Sequence, residues 1–446
     1  MSRGRNTFAV LVGLGICAAG TVVAREMALA PVAGTFIVDS PKEVMDQAWQ
    51  IVFRDYLDTN GEYNPKRWRE LRREVLVKKY RSQKDAYEAI RGMLSTLDDP
   101  YTRFLDPREF KEMQIDTSGE LTGVGIQLSL DKETKELIVV APIEGSPAFR
   151  AGIQPKDVIL SIDGKSTKDM SIIDAVKLIR GKPGSKVNLT LRRDAKSISI
   201  PITRALIELH AVEKQINIAP DGSEVGYIRL KQFNANATKD MRNALKEFEL
   251  EDVDGYILDL RSNPGGLLMA SIEIARQLLN EGVIVSTKTR DGIEDVKRAT
   301  GRALTTKPMV VLVNEGSASA SEILSGALKD NNRATLVGQK TFGKGLVQSV
   351  RPLSDGSGIT VTIAKYLTPS NRDIHKHGIE PDVQVKMTEA QAKKIRLEDL
   401  GTKKDIQYKT AESTLIKELT STSSSVNTFD PKSTNLPAAL GESEKL

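Results

Sequence analysis

Residues 309–328 read MVVLVNEGSASASEILSGAL, and this stretch decides the fold. Met309 to Val313 is an unbroken apolar run of strand length, as expected of a strand covered on both faces. Small residues from Asn314 to Ala320 let the chain turn sharply, and Ser321 to Leu328 takes up helical apolar spacing. A buried strand, a tight turn and an apolar helix make one unit of an α/β layer. The turn leaves a serine at the helix N-terminus, where free N–H groups and the positive dipole end favour developing negative charge. Taken alone, the segment reads equally as a serine-rich cap, with Ser321 as the capping residue.

The same alternation continues outward on both sides. Strand-like Val225 to Leu230, Tyr256 to Leu260 and Ala334 to Val337 alternate with helical Thr238 to Phe248 and Leu267 to Leu279. The spacing predicts an α/β core over residues 206–390, with helices packed on a mainly parallel sheet. Tyr256 to Leu260 runs into RSNPGG at 261–266, where Gly265 and Gly266 leave backbone N–H groups exposed at a helix start, suited to an oxyanion. Downstream, KTFGKGLVQSV at 340–350 becomes a strand, and DGSG at 355–358 turns it into a second, Ile359 to Ala364. Residues four apart on a strand face the same side, so Lys344 and Gln348 are expected to share a face. A lysine among apolar neighbours loses solvation, which lowers its pKa and lets the neutral amine act as a base. In isolation the same residue reads as a surface lysine on a hairpin. GQKTFGK at 338–344 imitates a phosphate-binding loop, but Gly345 stands where a Mg-binding hydroxyl belongs and a strand follows where a helix should open. Nucleotide binding is excluded.

Toward the N-terminus the texture changes twice. Residues 117–205 carry short strands (Ile126 to Leu130, Leu137 to Ala141, Val158 to Ile162, Val187 to Arg192) and one helix, Ile172 to Ile179, before Gly181 and Pro183. Residues 31–116 are helical in pattern, with apolar residues at Val44, Ala48, Ile51 and Val52, and again at Tyr87, Ile90 and Leu94. Residues 1–30 open with Arg3 and Arg5 and run apolar from Phe8 to Val23, the layout of a secretory signal peptide. Cleavage after Ala24 or Ala30 fits, and an uncleaved membrane anchor is the alternative. Residues 391–446 are charged, then rich in Ser and Thr with few large apolar residues, and read as a partly disordered tail.

Composition narrows the chemistry further. Among 446 residues, 64 basic and 59 acidic side chains leave a net charge of +5. The basic run KRWRELRR at 66–73 is interleaved with Glu70 and followed by Glu74, which marks a solvated helix face rather than a nucleic-acid surface. The only cysteine, Cys17, lies in the N-terminal apolar run, so intrachain disulfides, cysteine nucleophiles and Cys-ligated metals are excluded. Of His210, His375 and His377, the last two sit in a charged loop, RDIHKH, and read as solvated. No carboxylates stand near them at a zinc-site spacing. No cofactor or metal is expected.

Together the three glycine- and serine-bearing motifs resemble the carboxy-terminal processing (tail-specific) proteases, peptidase family S41. SASASE at 317–322, TFGKGLVQ at 341–348 and RSNPGG at 261–266 are that family's patterns in its order, with Lys344 lying 25 residues after Ser319. DPYT at 99–102 and GIEPD at 378–382 extend the resemblance to residues 41–386. It implies an N-terminal helical region, an inserted PDZ domain and a ClpP/crotonase-like α/β core. It further implies Ser319 as nucleophile, Lys344 as general base, Gln348 as the residue orienting the lysine, and an oxyanion hole from the amides of Ala320 and Gly265 or Gly266. GELTGVGI at 119–126 resembles the PDZ carboxylate-binding loop. Successive N–H groups at Val124, Gly125 and Ile126 can capture a terminal carboxylate while the peptide adds a strand beside Ile126 to Leu130. The expected partners are protein or peptide substrates with a free C-terminus, met in the periplasm or thylakoid lumen. Two other classes fit parts of the pattern. A crotonase-like acyl-CoA enzyme would need neither the PDZ module nor the lysine, and a silent PDZ scaffold or chaperone would not need Ser319, Lys344 and Gln348 together.

Overall fold

The computed structural model describes residues 41–426 apart from 132–133, 293, 389–390 and 392–396. Helices form first where the sequence supplies caps. α1 (Pro41–Asp55) is followed by α2 (Pro65–Val77), where the Asn64 side chain accepts the amides of Lys66 and Arg67 and proline occupies the first position. α3 (Gln83–Ser95) starts at Ser82, whose hydroxyl accepts the Asp85 amide. Their apolar faces, including Val44, Trp49, Trp68 and Ile90, bury one another together with Ile359 and Val361, more than 250 residues away in the chain. Strand β1 (Arg103–Leu105) accounts for that contact by pairing antiparallel with residues 358–360. The helical region is therefore docked onto a sheet of the C-terminal half, which helical spacing alone does not show. α4 (Pro107–Ser118) begins with a reciprocal Asp106–Glu109 capping box and ends at Gly119 in the left-handed conformation.

β2 (Glu120–Gly123) enters the middle module. This contains β3 (Ile126–Leu130), β4 (Leu137–Pro142), α5 (Pro147–Arg150), β5 (Val158–Ile162), β6 (Lys165–Ser166), α6 (Ile172–Ile179), β7 (Lys186–Arg193) and β8 (Lys196–Thr203). β3, β4, β5, β7 and β8 follow one another across an antiparallel sheet, with β6 beside β5. Val139, Ile159, Ile162, Leu189 and Leu191 form a core of its own. β9 (Ala205–Glu208) leaves the module paired with β2, so its entry and exit form a two-stranded ribbon.

Two sheets build the remainder. β10 (Val212–Ile218), β11 (Glu224–Leu230), α7 (Ala237–Leu250), β12 (Gly255–Asp259), α8 (Leu268–Leu278), β13 (Val283–Thr289) and β14 (Glu294–Arg298) come first. β15 (Met309–Val313), α9 (Ala320–Asp330), β16 (Thr335–Gly338), β17 (Leu346–Pro352), β18 (Gly358–Leu367) and β19 (Val383–Gln384) complete it. One sheet runs β10-β11-β12-β15-β16-β19 and is parallel from β11 onward. Its strands alternate as period two requires. Tyr256, Leu258, Val311 and Val313 meet Leu245, Ile272 and Leu324 of the helices, while Ile257, Val310 and Leu312 point the other way. The second sheet runs β1-β18-β13-β14, with β17 also on β18.

What covers that other face is a helix within the segment read as a partly disordered tail. α10 (Ile406–Val426) lays Tyr408, Ala411 and Leu415 against Tyr227, Ile257, Val310, Leu312 and Val337. Thr410, Ser413, Thr414 and Thr420 donate their hydroxyls to carbonyls four residues earlier, so a Ser/Thr-rich composition is compatible with a packed helix. Leu415 is 0% exposed, and Leu415→Ala is expected to cost about 2–5 kcal/mol of stability, read by urea unfolding. A change below about 0.5 kcal/mol, the range of ordinary surface substitutions, would place the helix outside the cooperative unit. The predicted signal segment and residues 427–446 lie outside the described residues. Among the described residues no helix is long and apolar enough to cross a membrane.

Candidate active site

β15 ends in the turn read from the sequence, and Ser319 stands at the N-terminus of α9 with φ 56° and ψ −113°. A non-glycine residue occupies such a conformation only when its surroundings impose it. The neighbours supply that constraint. Ser317 Oγ donates to the Leu260 carbonyl at 2.8 Å, Ser321 Oγ to the Asn263 carbonyl at 2.8 Å, and the Ala318 amide to the same Asn263 carbonyl at 3.1 Å. Ser317 and Ser321 are fully buried, whereas Ser319 is half-buried and lines a cleft of about 480 Å³. The capping position belongs to Ser319, not Ser321, which lies inside the helix and staples it to the adjoining loop.

That loop is residues 261–266. Gly265, at φ 99°, has no room for a side chain, since a Cβ would lie 2.9 Å from both the Ala320 nitrogen and the Ser319 Cβ. Its amide donates to Asn263 Oδ1 at 2.9 Å and its carbonyl accepts from the Phe233 amide at 2.9 Å. Carbonyl and N–H of a trans peptide point in opposite directions, so the Gly266 N–H is directed away from Phe233. Gly266 and Ala320 both line the cleft. Of the two glycines expected to offer an amide, Gly265 is already engaged and Gly266 is the better placed.

Below the loop, Arg261 is anchored in a buried cluster. It bonds Asp259 at 2.5–3.1 Å, Asp405 at 2.6 and 3.0 Å and Gln407 at 3.0 Å, and Tyr227 donates to Asp259 at 2.7 Å. The segment leading into α10 thus holds the start of the glycine loop. Neither the cluster nor its reach of 144 residues is visible in the sequence.

Lys344 lies across the cleft. It precedes β17, and that strand shifts register between Val347 and Gln348, so the same-strand argument is not what brings Lys344 and Gln348 together. Both nevertheless line the cleft with Ser319, and Gln348 Nε2 is buried with no hydrogen-bond partner among the described residues. Burial pushes the Lys344 ammonium down from its ordinary value, Arg103 adds to this, and Asp99 and Glu322 oppose it.

Glu322, quoted in the sequence but given no role there, joins the two sides. Its fully buried carboxylate accepts from the Ser319 amide at 2.9 Å, Thr341 Oγ1 at 2.6 Å, the Gly343 amide at 2.7 Å and the Lys344 amide at 2.8 Å. Tyr366 bridges the same segments, donating to the carbonyls of Ser319 and Lys344. Tyr101, from the turn before β1, lays its ring against Lys344 with Nζ 4.9 Å from the centroid. His375, read as solvated, is half-buried with its ring edge-on to Tyr101, while His377 is exposed.

In the middle module, the Val124 carbonyl accepts from the Ala148 amide, and the Gly125 carbonyl accepts from the Ile143 amide and Ser146 Oγ. The same peptide geometry directs the N–H groups of Gly125 and Ile126 away from those donors. Gly125 sits at φ 81°, where a side chain would collide with Ser146. Ile126 and Leu128 of β3 and Ile172 and Leu178 of α6 are only partly buried, which leaves apolar surface on both elements.

A serine held in strain at a helix N-terminus, opposite a desolvated lysine, is the equipment of a serine-type peptidase. The comparisons with known proteins agree: residues 224–385 match peptidase family S41 and residues 138–193 match a PDZ domain. The chain is 47% identical over 372 residues to the carboxyl-terminal-processing protease of Synechocystis sp., covering 83% of this chain and 86% of that one. It is 39% identical to carboxyl-terminal-processing peptidase 3, chloroplastic, of Arabidopsis thaliana, covering 84% and 75%. A solved photosystem II D1 C-terminal processing protease is similar at 39% identity and a TM-score of 0.51, covering 78% of this chain and 94% of that one. The chain belongs to peptidase family S41, among the carboxyl-terminal-processing proteases. The acyl-CoA reading is thereby set aside.

Proposed function

We propose that this peptidase works with a Ser–Lys pair and reads the free C-terminus of its substrate through the PDZ module. The observation that carries the first part is the shared anchoring of Ser319 and Lys344 on Glu322 at the edge of one cleft. Neutral Lys344 takes the proton of Ser319 Oγ as the oxygen adds to the scissile carbonyl. The oxyanion is held by the amides of Ala320 and Gly266. The ammonium then gives its proton to the leaving amine, and the acyl-serine is released by a water that Lys344 deprotonates in turn. Gln348 orients the lysine through Oε1, the end of the amide able to accept an ammonium proton.

The second part rests on the N–H groups of Gly125 and Ile126 beside partly exposed apolar side chains of β3 and α6, which suits a carboxylate followed by an apolar terminal side chain. Val124, the third contributor read from the sequence, is fully buried. The positively charged start and apolar run of residues 1–30 support export to the periplasm or thylakoid lumen, with an uncleaved anchor as the variant form. An exported precursor with a removable C-terminal extension is the substrate class, and the D1 subunit named for the solved relative is the first to assay.

Amidating a substrate's C-terminus removes the charge the amides hold. Charge-assisted bonds of this kind contribute about 1.5–3 kcal/mol each, so binding is expected to weaken at least about tenfold. Titration of paired acid and amide peptides into the Ser319→Ala protein measures this without cleavage. Equal affinities would remove the carboxylate-reading role.

A further inference from the structure

The turn Asp99-Pro-Tyr-Thr102 belongs to the N-terminal helical region, yet besides its internal hydrogen bonds it makes three with β18. Asp99 accepts from the Tyr101 amide at 2.9 Å, Thr102 Oγ1 at 2.6 Å and Thr362 Oγ1 at 2.7 Å. Thr362 donates its amide to Thr102 Oγ1 at 3.0 Å, and Thr360 Oγ1 donates to the Tyr101 carbonyl at 2.7 Å. The backbone of Tyr101 is thereby fixed to the same sheet that carries β17. Its ring is held in turn by the edge of His375, 6.3 Å away between centroids. The His375 backbone is itself packed against Gly345, the residue after the lysine, where a Cβ would come within 2.7 Å of the His375 backbone nitrogen. Lys344 Nζ lies over the ring, 4.9 Å from its centroid, and Tyr101 lines the cleft with Ser319 and Gln348.

We propose that Tyr101 is a positioning residue for Lys344, its ring face holding the ammonium that forms when the lysine takes the serine proton. The inference rests on Lys344 being the base. A desolvated lysine needs a partner for its charged state, but a carboxylate in contact would keep it permanently protonated. A π face is the weaker partner: it attracts the cation by about twofold to thirtyfold and accepts no proton. It also restrains a side chain with several rotatable bonds without occupying the donor directions that Ser319 and Gln348 need. This explains why a helical region outside the α/β core is tied so firmly to β18: it delivers one ring to the catalytic lysine. The charged and titratable groups facing that lysine are Arg103 from β1, Asp99 from the turn, Glu322 from α9 and Tyr366 from β18, with His375 beyond the ring.

The test compares the full chain with Tyr101→Phe, Tyr101→Leu and a version carrying pentafluorophenylalanine at position 101, which keeps the ring's shape but reverses its face charge. The readouts are kcat, KM and the acid limb of kcat/KM on one peptide. Tyr101→Leu and the fluorinated ring are expected to lose about threefold to thirtyfold in kcat with KM little changed. Their acid limb should move down by about 0.3 to 1.5 pH units, because the ammonium loses its partner while burial remains. Tyr101→Phe should restore both. An unchanged acid limb and kcat in Tyr101→Leu overturns the proposal, as does a fluorinated ring equal to Tyr101→Phe. If the leucine variant misfolds, the fluorinated ring still decides. Lys344→Ala is run alongside: residual turnover there would overturn the base assignment and this inference with it. An inert Lys344→Ala beside an unaffected fluorinated ring removes the role of Tyr101 alone.

Discussion

Ser319→Ala and Lys344→Ala are each expected to lower kcat by at least about a thousandfold, with the melting temperature of Lys344→Ala at or above that of the unaltered chain. Nucleophile and base act as one unit, so losing either forfeits nearly the whole covalent route, and the double variant should be no worse than either single one. Ser319→Ala gives up the cap hydroxyl, at a cost of about 0.5–2 kcal/mol, whereas Lys344→Ala should not lower stability, because that side chain carries a burial penalty when charged. The sign of that penalty follows from its lowered pKa. The unfolded chain binds the lysine's proton more readily than the native one, so between the native and unfolded pKa values stability rises with pH. At neutral pH the charged lysine therefore costs stability, and removing it relieves the cost. Activity should fall as pH drops through the native pKa of Lys344, with an acid limb below the usual lysine range. Steady-state kinetics from pH 5 to 10 and calorimetry test all of this. Substantial turnover by Ser319→Ala, or an activity optimum in acid, would sink the assignment.

Glu322→Gln is expected to fold and yet lose roughly a hundredfold in kcat, with Glu322→Ala both inactive and less stable by several kcal/mol. Each carboxylate oxygen accepts two bonds, one of them accepting from the Ser319 and Lys344 amides and the other from Thr341 Oγ1 and the Gly343 amide. An amide nitrogen in place of either oxygen sets a donor against donors. The Gly343 N–H loses its partner in one amide orientation, and the Ser319 and Lys344 N–H groups both lose theirs in the other, so nucleophile and base no longer share a frame. Alanine strands three buried backbone N–H groups at about 1–3 kcal/mol each. Peptide turnover and urea unfolding separate the two effects. A Glu322→Gln enzyme at full activity would show that the two loops hold their geometry without the carboxylate.

Much of this molecule is legible because its signals are local. The unbroken apolar run of β15, five residues ending in a turn, reads as a strand buried on both faces. α6 spans the predicted Ile172 to Ile179, where Ser171 starts it and Gly181 and Pro183 follow it. The turn at Ser319 and the glycine pair at Gly265 and Gly266 declare themselves by small residues at strand ends. Where sequence reading failed, composition hid a distant partner. Ser and Thr in α10 concealed the apolar stripe of Tyr408, Ala411 and Leu415, which acquires meaning only against the outer face of the sheet. His375 looked solvated among its charged neighbours because nothing nearby in sequence foretells the Tyr101 ring.

By itself, then, the sequence determined the layers, the middle module and the short list of reactive side chains, since periodicity, turn chemistry and motif spacing act over a few residues. The tertiary structure alone decided which serine meets the cleft, which glycine keeps a free amide, and which groups fix the lysine. Those outcomes depend on hydrogen bonds and packing between segments far apart in the chain: Glu322 with the Lys344 loop, Asp99 with Thr362, and Arg261 with Asp405. A buried donor or acceptor must find its partner wherever the fold brings one, and no local pattern records where that is.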